Sequence, residues 1–194
     1  MAHSAPLPGS VRPELQHDEL VRCKAQDPVA FRAFVVRYQR PVFSLLSRML
    51  GRGPHVEDIA QDVFLRAYRA FPSFDVDRAA RPSTWLLTIA TRAALDVRKR
   101  AVVPTTSLEA AGGATTGVTP ESERRRGELR TAIAHAADAL PDDQRAAFVL
   151  AEFHGLTMAE IAAVLEVPEN TVKTRIHRAR AKLQESLVAH KEDS

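Results

Sequence analysis

The chain of 194 residues has one cysteine, Cys23, which excludes an internal disulfide and any cysteine-rich zinc knuckle. The same scarcity fits a reducing, cytoplasmic setting. No apolar run reaches the roughly 20 residues of a membrane span, so no membrane insertion is expected. Residues 1–9 lack the basic start and apolar middle of a secretory signal. There is no glycine-rich phosphate loop, no HExxH and no CxxC, and the 7 histidines show no ligand spacing. No catalytic residue, metal site or cofactor is therefore expected, and the chain does not read as an enzyme. No segment alternates apolar and polar residues, so no sheet is expected.

What is present is helical patterning and unevenly placed charge. Residues 1–100 carry 16 Lys and Arg against 10 Asp and Glu, whereas residues 101–194 carry 11 against 14. Inside that acidic second half, residues 169–182 hold Lys173, Arg175, Arg178, Arg180 and Lys182 against Glu169 alone. A basic cluster so confined points to a placed anion-binding surface.

Residues 101–127, AVVPTTSLEAAGGATTGVTPESERRRG, contain no aromatic residue and no sustained apolar period, and read as a flexible linker. Residues 1–13, with Pro6, Pro8 and Pro13, read as a disordered tail. Two units remain, 14–100 and 128–190, and the fold class expected is all-α, two small helical domains. Nine of the 11 aromatics lie between Phe31 and Trp85, so the first unit has the larger aromatic core.

In the first unit, Asp27-Pro28 is a cap and a first-turn proline. Phe31, Phe34, Val35, Tyr38, Val42, Leu45, Leu46 and Met49 follow at helical spacing up to Gly51, with a local kink expected at Pro41. Further helices are predicted over about 56–71 and from Ser83 to Arg100. In the second unit, Leu129–Leu140 reads as a helix stopped by Pro141. Asp142 is placed to cap the next, which should end at Gly155.

Residues 157–183 carry the sharpest signal. Thr157-Met158-Ala159-Glu160 is a capping box. Ile161, Ala162 and Leu165 face inward on a short helix, Glu166-Val167-Pro168 breaks it, and a longer helix follows with Val172, Ile176, Leu183 and Leu187 inward. That order describes a helix-turn-helix. Lys173, Thr174, His177 and Arg178 share one outward face near the start of the longer helix, the part that enters a major groove. A solvated basic face on an ordinary helical hairpin is the plainer alternative.

Two further faces stand out. Arg92, Asp96 and Lys99 are spaced i, i+4, i+7, with Arg98 and Arg100 beside them, although cations in a last turn also suit the helix dipole. Asp58, Gln61 and Asp62, at i, i+3, i+4, form an acidic face opposite Ile59, Val63 and Ala67.

Five stretches in this order resemble the sigma factors of the extracytoplasmic-function group, the minimal members of the sigma-70 family. They are DPVAFRAFVVRYQRPVFSLL, VEDIAQDVFLRAYRAFPSFD, RPSTWLLTIATRAALDVRKR, LPDDQRAAFVLAEFHGLTMAEIAAVL and VPENTVKTRIHRARAKL. The resemblance spans about residues 18–190. It implies an alternative sigma factor that binds core RNA polymerase, through the beta-prime clamp helices and the beta flap, and directs transcription initiation at particular promoters. It further implies that Asp58, Gln61 and Asp62 dock on the clamp helices. The loop 74–83 and Arg92, Asp96, Arg98, Lys99 and Arg100 would melt and read the minus-ten element of promoter DNA, with Trp85 structural. Lys173, Thr174, His177 and Arg178 would read the minus-thirty-five element as duplex. An anti-sigma factor is a further implied partner. Three positions depart from the family pattern: Arg92 where many members have Asn, and Glu166 and Asn170 where members often have Gly. The other reading is a two-domain helix-turn-helix regulator that acts without polymerase.

Overall fold

The computed structural model describes residues 14–51, 53–77, 81–101 and 139–192. The expected tail, the body of the expected linker and most of the helix expected over Leu129–Leu140 lie outside these residues. Among the described residues there are seven α-helices and no strand.

Helix α1, His17–Lys24, opens on a capping box in which the Gln16 N–H donates to Glu19 at 3.1 Å. Its exit passes through Gln26 at φ 58° and into Asp27. The Asp27 carboxylate accepts from the N–H groups of Val29 (2.8 Å) and Ala30 (3.3 Å) and pairs with Arg22 at 2.7 Å. The Arg22 bond, first, and the two backbone bonds hold its carboxyl below the usual range.

Helix α2, Pro28–Leu50, buries Ala30, Phe34, Tyr38, Val42, Leu45, Leu46 and Met49 in one stripe and stops at Gly51, φ 81°. It runs on through Pro41, because the packed stripe continues on both sides of the proline. Helix α3, Pro54–Ala70, buries Val56, Ala60, Val63, Phe64 and Ala67, and a single 3₁₀ turn, Phe71–Ser73, follows it. Helix α4, Pro82–Ala101, reaches one residue into the expected linker and buries Leu86, Leu87, Ala90, Ala93 and Ala94.

Helices α2, α3 and α4 pack on one another around an aromatic cluster. Trp85 lies 4.8 Å from Phe74 and 5.2 Å from Phe71 between ring centres, and Phe34 lies 5.1 Å from Phe71. Trp85 is thus a packing residue that fixes the start of α4. Glu14 ties the incoming chain to two helices: it accepts from the Tyr38 hydroxyl at 2.5 Å and from the Ser83 hydroxyl. Cys23 is fully buried, and burial first, then the charges of Glu19 and Asp27, push its thiol up to about 11. It is a small packing residue, not a reactive thiol.

The second unit has helix α5, Asp142–Glu152, helix α6, Met158–Leu165, and helix α7, Glu169–Glu192. Asp142 does not cap α5. Pro141 takes the cap position, and the Asp142 carboxylate instead turns to Arg98 of α4. Helix α5 ends at Glu152, short of Gly155, whose φ of 63° carries the turn into α6. The two units share one buried cluster: α5 lies against α2 and α6 against α4.

Candidate nucleic-acid interface

The longer helix of the second unit is set by the turn before it. Thr157 Oγ1 accepts from the Glu160 N–H at 3.2 Å, and Glu160 accepts from the Thr157 N–H at 2.8 Å, so the first turn of α6 is satisfied from both sides. Burial works against the ionised Glu160 carboxyl, but the bonds from Thr157 and from Thr84 outweigh it and hold the carboxyl below its usual range. Glu166 closes α6 in the left-handed conformation, φ 55° and ψ 44°, and the Val167 N–H returns to Ala162 at 3.1 Å. Pro168 then starts α7, its carbonyl accepting from the Val172 N–H at 3.2 Å. Asn170 lies within the first turn of α7, two residues past the cap position held by Pro168.

From that start, Val172, Ile176 and Ala179 are buried, and Lys173, Thr174, His177 and Arg178 all face water. The structure separates cations that the sequence had grouped. Arg175 pairs with Asp143 at 2.9 Å, Arg180 with Glu152, and Lys182 donates to the Ala139 carbonyl at 2.7 Å. Those three bind α7 to its own unit. Lys173 and Arg178 are exposed and have no ion pair among the described residues. Leu183 is half-buried, and the side chain of Leu187 lies outside the described set.

On α4, Arg92, Asp96, Lys99 and Arg100 face water. Arg98, expected beside them on the solvent side, is turned inward. Its side chain is 25% exposed, it donates to the Met49 carbonyl at 2.9 Å, and it pairs with Asp142. The reason is local: the C-terminal carbonyls of α2 and the acidic first turn of α5 both need a cation there. Arg92 pairs with Glu166 at 2.5 Å, which joins two departures that the sequence showed only separately. Before α4, Phe74 is buried in the aromatic cluster and Ser83 is bonded to Glu14. Residues 78–80 of that loop lie outside the described set.

On α3, Asp58 and Gln61 are exposed, but Asp62 is paired with Arg66 of the same helix at 2.7 Å, which offsets part of the expected acidic face. Leu65, 53% exposed, completes this face at i+7 from Asp58. Extending the i, i+3, i+4 series by one step would have included it. Asp142, Glu160 and Glu166, which meet α4, carried no sequence signal for that meeting, because contacts between units leave no periodic trace.

Taken together, α4 and α7 carry outward cations on an all-helical protein with a helix-turn-helix in its second unit. The sigma-70 region 2 model matches residues 34–102, and the sigma-70 region 4 model matches residues 130–183. The chain is 38% identical over 175 residues to the ECF RNA polymerase sigma factor SigW of Bacillus subtilis, covering 84% of this chain and 92% of that one. It is also 38% identical over 169 residues to the ECF RNA polymerase sigma-E factor of Escherichia coli K12, covering 82% and 87%. Two solved structures share the fold. CnrH in complex with the cytosolic domain of CnrY has TM-score 0.64 and 24% identity, over 89% of this chain and 97% of that one. The sigma factor RpoE of Bartonella quintana, in complex with the anti-sigma factor NepR, has TM-score 0.65 and 23% identity, over 81% and 96%. The chain belongs to the extracytoplasmic-function group of sigma-70 family sigma factors. It is an alternative sigma factor, a protein that directs RNA polymerase in transcription initiation. No helix among the described residues is long and apolar enough to cross a membrane.

Proposed function

We propose that this sigma factor docks on core RNA polymerase through Asp58, Gln61, Asp62 and the exposed Leu65. It holds the opened minus-ten strand on the α4 face of Arg92, Asp96, Arg98, Lys99 and Arg100. It reads the minus-thirty-five duplex with Lys173, Thr174, His177 and Arg178. The observation that carries this reading is the sorting of charge on α7: three cations are spent inside the unit, while Lys173 and Arg178 face water at the groove-entering end. Arg178 has the reach for a guanine edge, and Lys173 for a phosphate. The α4 face suits single strands, because backbone attraction needs no duplex geometry. The protein acts by binding and performs no catalysis of its own. Its place is the cytoplasm, beside polymerase, and an anti-sigma factor is an expected partner.

A regulator without polymerase would share the helix-turn-helix but would have no use for the α3 face. The test is core binding. Asp58→Ala with Asp62→Ala removes one exposed pair, worth at most about 1 kcal/mol, so the helix should stay folded. The expected outcome is at least a tenfold loss of affinity for core polymerase with an unchanged circular dichroism spectrum. Full affinity in the double variant would reject the docking assignment.

A further inference from the structure

Both carboxylate oxygens of Glu14, just ahead of α1, are engaged by hydroxyl groups from helices distant in sequence. Oε2 accepts from the Tyr38 hydroxyl of α2 at 2.5 Å, and Oε1 accepts from the Ser83 hydroxyl of α4. The Tyr38 oxygen in turn accepts from the Leu15 N–H at 3.4 Å. Burial first, then the bond to Glu14, raise the Tyr38 phenol, so it stays a donor. Tyr38 and Ser83 are both buried, so water is no ready substitute for the carboxylate. Apolar side chains would fill the same space without the desolvation that a carboxylate suffers there. What the carboxylate adds is direction: its two oxygens fix the first turn of α4 against α2.

Ser83 is the second residue of α4, and Trp85 follows two residues on, among Phe34, Phe71 and Phe74. The loop 74–83 is therefore held at both ends. Phe74 is sunk in the aromatic cluster, and Ser83 is tied to Glu14. Helix α1 also packs on the 3₁₀ turn that precedes the loop, and its first residue, His17, stands 3.9 Å from the Asp77 carboxylate. The Asp77 N–H donates to Asp75 at 3.1 Å, which tightens the same stretch. Residues 14–17 precede the first of the five family stretches, which begins at Asp27.

We propose that Glu14 is a positioning residue for the minus-ten reader. Through Ser83 and Tyr38 it holds the loop into α4, and the first turn of α4, in the arrangement that receives the opened strand. It acts as a strut and touches no DNA itself. The proposal rests on the minus-ten assignment made above. Capturing an unstacked base already carries the cost of unstacking, and a loop fixed beforehand adds no ordering cost to it. The effect is confined to this reader. Glu14 makes its side-chain bonds to α2 and α4, whereas the docking face lies on α3 and the duplex-reading face on α7.

The test uses the full chain with two readouts: affinity for a single-stranded minus-ten oligonucleotide, and the fluorescence of Trp85, the single tryptophan of the chain. Glu14→Ala should bind the oligonucleotide about fivefold more weakly and shift the Trp85 emission to longer wavelength. Its affinities for a minus-thirty-five duplex and for core polymerase should stay within about twofold of wild type. Glu14→Gln keeps the length and one acceptor oxygen, and should return both readouts most of the way to wild type. Tyr38→Phe removes one donor and keeps the ring, and should weaken oligonucleotide binding about twofold in a chain that remains folded. Val63→Ala, buried on α3 away from the bridge, lowers stability in general and should leave both readouts near wild type. An unshifted Trp85 emission in Glu14→Ala, or an equal loss of oligonucleotide binding in Val63→Ala, overturns the proposal. Oligonucleotide affinity within twofold of wild type in Glu14→Ala overturns it as well. A shifted emission with no oligonucleotide binding by any form, wild type included, upholds the strut and removes the minus-ten assignment instead.

Discussion

Helix α7 presents Lys173, Thr174, His177 and Arg178 to water, while helix α4 has Arg92 and Arg98 engaged by acidic residues of the opposite unit. Both helices carry outward cations at helical spacing, and the sequence gives no sign that they differ. The difference arises from what each packs against. Arg175 and Arg180 of α7 find their carboxylates at home, in Asp143 and Glu152, while Lys173, before them, and Arg178, between them, face water. Helix α4 meets its acidic partners only where the second unit folds back. A cation's role is thus set by the nearest carboxylate in space, not by its place in a stripe.

The sharpest break of that comparison is to remove the support of α4. Trp85 packs against Phe34, Phe71 and Phe74, and Trp85→Ala leaves a large cavity there. A loss of roughly 3–5 kcal/mol is expected in urea unfolding, with minus-ten binding lost and the helicity of the second unit retained. A change under about 1 kcal/mol would show that the aromatic cluster does not set α4.

The joint between the units should respond to acid. His154 is buried with no hydrogen-bond partner among the described residues on either ring nitrogen, and burial first, then the charge of Arg48, push it down to about 4 from 6.5. The neutral ring is the folded form, so its contribution is complete above pH 6.5 and is lost as pH falls towards 4. The loss is on the order of 3 kcal/mol across that window. His154→Phe should flatten the stability profile between pH 7 and pH 4. A profile as steep as wild type would place the acid sensitivity elsewhere.

Within α7 the contrast is finer. Arg178→Ala should cost about 1–3 kcal/mol of minus-thirty-five affinity and relax preference at one base position. Lys173→Ala should weaken all sequences alike and lower the salt slope by about one unit. Titrations over a salt series with matched and mismatched duplexes separate the two, and identical behaviour would mean that neither residue touches a base edge.

The helices were legible wherever caps and stripes agree. Asp27-Pro28, the capping box at Thr157 and Glu160, and the stripe from Phe34 to Met49 each fixed an element within a residue or two. Left-handed Glu166 was also legible, because the family pattern has glycine there. What failed has two causes, one across the units and one within a helix. Arg98 was expected outward and Asp142 as a cap, and each instead finds the other across the units. Asp62 stands in the expected acidic face, and its pair with Arg66 at i+4 was open to reading. The outward set on α7 faces water as expected, since α7 packs mainly on α5 and α6 of its own unit.

The central claim is that this chain selects promoters for polymerase, and run-off transcription tests it most directly. Core polymerase with the full chain should initiate from a discrete start on a promoter carrying both elements. Transcript should fall about fivefold or more with Arg178→Ala and at least tenfold with Asp58→Ala plus Asp62→Ala. Start sites no more selective than with core polymerase alone, while duplex binding by α7 persists, would contradict the account and favour a regulator that works without polymerase.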